Sequence, residues 1–386
     1  MKLTKVLALV LAVVMCVCAF ASCTKNSANN ENNGNNTIKI GLTGPLTGPY
    51  AIYGKAAQFG AEIAVEEINA KGGLKFEFKA EDDEGDAEKA VNAYNGLLDW
   101  GMQALVGTVT SGACIAVAAE TYADRVFAIT PSASSADVTK GNDNVFQVCF
   151  SDPNQGTGSA KYIASNFANA KIAIIYRNDD AYSQGIRDTF VAEAANQNLN
   201  IVYEGTFTEA TQTDFSVQLT AAKASKADFL FLPIYYQPAS VILTQADQMG
   251  YKPTVFGVDG MDGILTLENF DVSLAEGVML LTPFSADAED DLTKNFVKVY
   301  QEKHGEVPNQ FAADGYDAVY VLYNALNAID GAADMDAADL CEALIAQMTE
   351  IKYTGLTGKD LTWNAAGEVS KDPLAVVIKD GVYVTP

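Results

Sequence analysis

From Thr37 onward the chain repeats one pattern: a short apolar run, a polar break, then a longer stretch whose apolar residues recur three and four apart. The short runs are Ile38–Leu42, Phe76–Ala80, Ala104–Val106, Phe127–Ile129, Ile172–Tyr176, Phe229–Leu232, Val255–Val258 and Val278–Leu281. Most are continuous and rich in β-branched or aromatic residues, which predicts parallel strands covered on both faces. The longer stretches predict helices. Gly60, Ile63, Ala64 and Ile68 share one helical face, as do Val91, Tyr94, Leu97 and Leu98. Lys71-Gly72-Gly73 supplies a helix stop and Asp86 an N-cap. Alternating strands and helices predict an α/β fold with mainly parallel sheets. The rhythm breaks between Phe146 and Pro153 and restarts at Ile172, which predicts two doubly wound, Rossmann-like lobes. In such sheets ligands bind outside the carboxyl ends of the strands.

The chain ahead of Thr37 does not fit this pattern. Lys2 and Lys5 precede an almost unbroken apolar run, Val6 to Phe20, which is short for a membrane span and has the length of a signal-peptide core. It leads into Phe20-Ala21-Ser22-Cys23, which resembles the lipobox of bacterial lipoproteins, with Phe where Leu is usual. The resemblance implies cleavage ahead of Cys23 and a lipid on its thiol; Cys16 and Cys18 sit inside the apolar run and fit less well. Residues 24–37 are rich in Asn and nearly free of apolar side chains, so they cannot offset their chain entropy by burial and predict a flexible tether, 23–37.

Composition narrows the partners. Twenty-five basic and 49 acidic residues give a net charge of −24, which argues against nucleic acid or anionic lipid. Past Cys23 only Cys114, Cys149 and Cys341 remain, without metal-type spacing. A Cys114–Cys149 bridge and three buried free thiols both stay open. No metal and no cofactor is expected. Glu81-Asp82-Asp83-Glu84 and the acids of 287–291 lack calcium-loop spacing.

The candidate chemistry lies in the loops at strand exits. Gly44 to Gly54 has glycines without dinucleotide spacing. Gly107-Thr108-Val109-Thr110-Ser111-Gly112-Ala113 opens a helix and puts Ser111 beside free backbone N–H groups, a cradle for a carboxylate or simply a cap. Thr130-Pro131-Ser132-Ala133-Ser134-Ser135 is dense in hydroxyls that both donate and accept. In the second lobe Tyr182 follows one strand, Tyr235-Tyr236 another, and Asp259-Gly260 a third. A single acid at the mouth of a buried strand can pair with an ammonium. Tyrosines in such loops serve equally as core.

These loops, taken in order, resemble the branched-chain amino-acid (Leu/Ile/Val) binding proteins, within the type I periplasmic binding proteins. The resemblance runs over nearly all of the chain past the tether. It includes Gly44-Pro45-Leu46-Thr47-Gly48, Asn69-Ala70-Lys71-Gly72-Gly73, Asp82-Asp83, Thr130-Pro131 and Asp152-Pro153-Asn154-Gln155-Gly156. It continues through Gly315-Tyr316-Asp317-Ala318 and Leu356 to Trp363. It implies a carboxylate held by Ser111 and Ser134, with Ser132 and Ala133 supporting, and an ammonium held by Asp259 beside Gly260. Family members often carry Glu where Asp259 stands. The aromatic wall falls on Tyr53, Tyr182, Tyr236 and Phe311, with Tyr235 a weaker match. The resemblance further implies a monomer that closes on an amino acid by a three-segment hinge and hands it to the permease subunits of an ABC transporter. Crossings near Phe150, Leu281 and Gly355 give one lobe of 38–150 plus 282–355 and another of 151–281 plus 356–386.

Two other readings compete. Catalysis has little support: His304 is the only histidine and sits at a polar helix end, and no nucleophile elbow is present. A sensor acting through a separate receptor, for an amide, a short peptide or an aromatic acid, is the alternative function.

Overall fold

The computed structural model describes residues 36–371 and 373–385. The expected signal segment and Cys23 lie outside the described residues. Among the described residues no helix is long and apolar enough to cross a membrane.

Two sheets organise the chain. The first has the order β2-β1-β3-β4-β5 and is parallel throughout: β1 Thr37–Gly44, β2 Lys75–Asp82, β3 Ala104–Val106, β4 Phe127–Thr130 and β5 Val145–Gln147. Helices α1 (Ala51–Lys71), α2 (Ala87–Trp100) and α3 (Ser111–Asp124) link its strands. The second sheet is parallel through β7 Asn200–Phe207, β6 Lys171–Arg177, β8 Phe229–Leu232, β9 Thr254–Gly257 and β10 Met279–Thr282. It ends in an antiparallel hairpin, β11 Leu374–Lys379 and β12 Val382–Val384. Its helices are α4 Asp152–Asn166, α5 Ala181–Asn196, α6 Ser216–Ala224 and α7 Tyr236–Gln248.

After β10 the chain returns to the first lobe as α8 (Asp291–His304), α9 (Gln310–Asn327) and α10 (Ala337–Met348). Helix α9 crosses α1 at a backbone distance only glycine allows. A Cβ on Gly60 would run into the Ala312 carbonyl, and one on Gly315 into that of Ala57. The predicted face Gly60, Ile63, Ala64 and Ile68 is buried in α1. Helix α1 stops at Lys71 with Gly72 at φ 77°, and Asp86 caps α2 by accepting from the Lys89 N–H at 2.9 Å.

The chain passes between lobes after β5, after β10, and a third time past Lys371. The third crossing corrects the expected position near Gly355. Residues 353–369 fold back on the first lobe: the Trp363 indole N–H donates to the Gln147 carbonyl at 2.7 Å, and the N–H groups of Leu356 and Thr357 donate to Asp317 on α9. The stretch 356–370 therefore belongs with the first lobe, and the second keeps only the β11–β12 hairpin. Cys114, Cys149 and Cys341 are free and buried, so the Cys114–Cys149 bridge is not formed.

Candidate functional site

The carboxyl ends of both parallel sheets meet at a narrow, nearly closed cavity lined by Tyr53, Val109, Thr110, Ser111, Ser132, Tyr182, Tyr235, Asp259, Gly260 and Phe311. Each lining residue is delivered by a strand exit or a helix start. Tyr53 lies in the first turn of α1, Val109 to Ser111 lead into α3, Ser132 follows β4, and Tyr182 lies in the first turn of α5. Tyr235 follows β8, Asp259 and Gly260 follow β9, and Phe311 opens α9.

Asp259 is buried, and its Oδ1 accepts from the Tyr182 hydroxyl at 2.6 Å and from the Gly260 N–H at 2.7 Å. Its own N–H donates to Gln155 Oε1 at 3.1 Å. Burial dominates its titration and pushes the carboxyl up to about 7, against the pull of the Tyr182, Gln155 and Gly260 hydrogen bonds and with a further push from Asp314. Opposite it stands the α3 N-terminus, whose first-turn N–H groups receive no side-chain cap. Ser111 Oγ accepts from the Ser135 N–H at 3.2 Å and keeps its own proton to donate. Ser132 Oγ donates to the Val109 carbonyl at 2.6 Å. The cavity thus presents donors on one side and a lone acid on the other.

Aromatic rings close the remaining wall. Tyr182 stacks on Tyr235 with centroids 4.7 Å apart, and Tyr53 meets Phe311 at 4.5 Å. The Tyr53 hydroxyl donates to the Gly260 carbonyl of the other lobe and accepts from the Tyr236 N–H at 3.2 Å.

Three expected site residues fall outside the lining. Tyr236 sends its hydroxyl to the Pro49 carbonyl at 2.6 Å and braces one lobe against the other, while its neighbour Tyr235 takes the wall position. Ala133 sits behind the cavity, its N–H on Thr130 Oγ1 and its carbonyl accepting from Gln147 Nε2. Ser134 turns toward the hinge: its carbonyl accepts from the Asp152 N–H at 2.8 Å and its hydroxyl faces the Gln155 amide at 3.5 Å. Asp152 is fully buried, and neither carboxyl oxygen has a hydrogen-bond partner of good geometry among the described residues. Burial holds that carboxyl well above the usual range, with the Ser134 hydroxyl pulling the other way.

Val109, Thr110 and Gln155 were not singled out from sequence. Thr110 and Val109 stand in the loop that pointed to Ser111, but a threonine before a helix reads as a cap. Gln155 reaches Asp259 from α4 across a separation of 104 residues, which no local pattern reveals. His304 stacks on Phe59, with ring centroids 3.8 Å apart, and is not part of the lining.

A family model described as periplasmic binding protein matches residues 37–381. The chain is 31% identical to the Leu/Ile/Val-binding protein BraC3 of Rhizobium johnstonii over 78% of its length and 82% of that protein's. The branched-chain amino acid transporter substrate binding protein LivJ of Streptococcus pneumoniae, solved with isoleucine, aligns at TM-score 0.80 and 30% identity. That alignment covers 91% of this chain and 100% of LivJ. A solute binding protein of an ABC transporter from R. palustris, solved with benzoate, shares the fold at TM-score 0.80 and 22% identity, covering 90% of this chain and 95% of its own.

Proposed function

The chain belongs to the periplasmic binding protein family, with the type I fold of the Leu/Ile/Val-binding proteins, and we propose that it captures an apolar, branched-chain-type amino acid between its lobes for an ABC importer. The observation that carries this reading is the cavity's polarity. Uncapped helix N–H groups and the Ser111 hydroxyl face it from one lobe, and a buried acid, Asp259, from the other. A zwitterion needs that pair of ends. Tyr53, Tyr182, Tyr235 and Phe311 then surround the side chain. In the same reading Cys23 carries the lipid, the protein works as an extracytoplasmic monomer, and the permease receives the closed form.

An aromatic acid is the second reading, favoured by the tyrosine wall and by the benzoate-bound relative. Beside a ligand that offers only an anion, Asp259 would have to stay protonated, whereas an ammonium pairs with its ionised form, and this places the amino acid first.

The test is a thermal-shift screen of the chain from residue 36 onward, unfolded and refolded to strip bound ligand, against all amino acids, their amides and aromatic acids. Stabilisation by Leu, Ile or Val, and little by benzoates, is expected. Calorimetry on Asp259→Ala should then show affinity lower by about a hundredfold, as for loss of a desolvated charge pair. Unchanged affinity overturns the role of Asp259.

A further inference from the structure

Resting on the amino-acid reading above, we propose that the Thr110 hydroxyl binds the ligand carboxylate beside Ser111, in the place expected of Ser134. Thr110 lines the cavity and is 6% exposed, and its hydroxyl has no hydrogen-bond partner among the described residues. An unmet buried hydroxyl is destabilising, so a fold that keeps one has a use for it outside the chain's own bonds.

The local structure gives that hydroxyl no employment. Thr110 occupies the N-cap of α3 with φ −92° and ψ 144°, the backbone from which a threonine ordinarily accepts from the first helical turn, yet it makes no such bond. At Asp86, Asp180, Asp290, Asn309 and Asp336 the N-cap side chain does accept one. The first-turn N–H groups of α3 and the hydroxyl at its entrance are therefore left uncommitted together, beside a cavity.

The other hydroxyls nearby are in use. Ser132 has given its proton to the Val109 carbonyl, and Thr130 Oγ1 gives its own to the Thr108 carbonyl at 2.6 Å. Tyr182 donates to Asp259 and Tyr53 to the Gly260 carbonyl. Ser134 faces Gln155 and the Asp152 carboxyl at the hinge. Protons free to meet a carboxylate remain on Thr110 and Ser111, next to one another in sequence and at the positive end of one helix. A carboxylate has about four lone-pair positions, enough for both hydroxyls and the helix N–H groups at once.

Thr110→Val removes the hydroxyl and keeps the shape; Thr110→Ser keeps the hydroxyl. Calorimetry with L-leucine, L-isoleucine and L-valine should show about tenfold or greater loss of affinity for Thr110→Val, and recovery in Thr110→Ser. L-leucinamide, which keeps a carbonyl acceptor but not the charge, should lose less affinity in Thr110→Val than leucine does. The unliganded Thr110→Val variant should melt at the same temperature or higher, because an unsatisfied buried group is gone. Full affinity in Thr110→Val together with a lower melting temperature would mark the hydroxyl as structural and overturn the assignment, as would equal losses for leucine and its amide. Failure of the unmodified chain to bind any of the three amino acids is a different result, and overturns the amino-acid reading itself.

Discussion

Asp259 is asked to be two things. Without a ligand it is a buried acid whose protonated form burial favours; with an ammonium beside it, the ionised form is wanted. Its carboxyl is pushed from 3.8 to about 7, so the folded chain holds this proton more tightly than the unfolded one. The contribution of Asp259 to unliganded stability therefore falls as pH rises from about 4 to about 7 and is flat above that window. Ligand binding must expel the proton wherever it is still held. Affinity for the amino acid should rise by up to about tenfold per pH unit between pH 5 and 7 and level off beyond. In Asp259→Asn the binding slope should flatten and the stability slope shrink to what Asp83 and Asp314, raised to about 7 and about 6, still contribute, and calorimetry across that range reads both. The place of the acid in the lining was legible as a lone charge at a strand's exit, and so was that of Ser132 in the hydroxyl-rich loop. Which of two adjacent tyrosines would line the wall was not. Tyr235 and Tyr236 enter α7 with their rings on different sides, and only the position of Pro49 in the other lobe decides between them. Ser134, expected in the lining, stands outside it for a similar reason: its carbonyl accepts from the Asp152 N–H at the hinge, a partner no local pattern reveals.

At the level of elements, most strands that could be read were those buried on both faces, where an unbroken run of β-branched and aromatic residues is required; β2, at a sheet edge with Lys75 and Glu77 exposed, was read from Phe76 and Phe78. Those not foreseen sit at margins. β7 is an outer strand with exposed positions at Asn200, Glu204 and Thr206, β5 has three residues, and β11–β12 form a partly exposed hairpin. The crossing of α1 and α9 is an element-level constraint with consequences for the site, because α1 carries Tyr53 and α9 carries Phe311. A methyl at Gly315 has no room beside the Ala57 carbonyl. Gly315→Ala should cost about 1–3 kcal/mol, measured by urea unfolding, and weaken ligand binding in parallel as the two rings move apart. Wild-type stability in that variant would mean the helices can separate without strain. The late third crossing also belongs here: Trp363 and Thr357 tie residues 353–370 to the first lobe through partners distant in sequence, which the pattern of residues alone could not show.

For the whole molecule, what matters is that the lobes touch both at the cavity and beside it. Tyr53 reaches the Gly260 carbonyl, Tyr236 reaches that of Pro49, and Arg177 donates to the Tyr50 hydroxyl at 3.1 Å. A ligand held by both lobes adds its own contacts to these, and the closed form is stabilised by the difference. On the proposed reading such a ligand carries a negative end for the first lobe and a positive end for the second. Calorimetric titration of the refolded chain with L-leucine, L-isoleucine and L-valine, each beside its desamino acid with hydrogen in place of the ammonium, removes the positive end without adding bulk. The free amino acids should bind about a hundredfold more tightly than the desamino acids. Equal binding of the two series would mean that Asp259 meets no ammonium, and that the cavity was built for another kind of molecule.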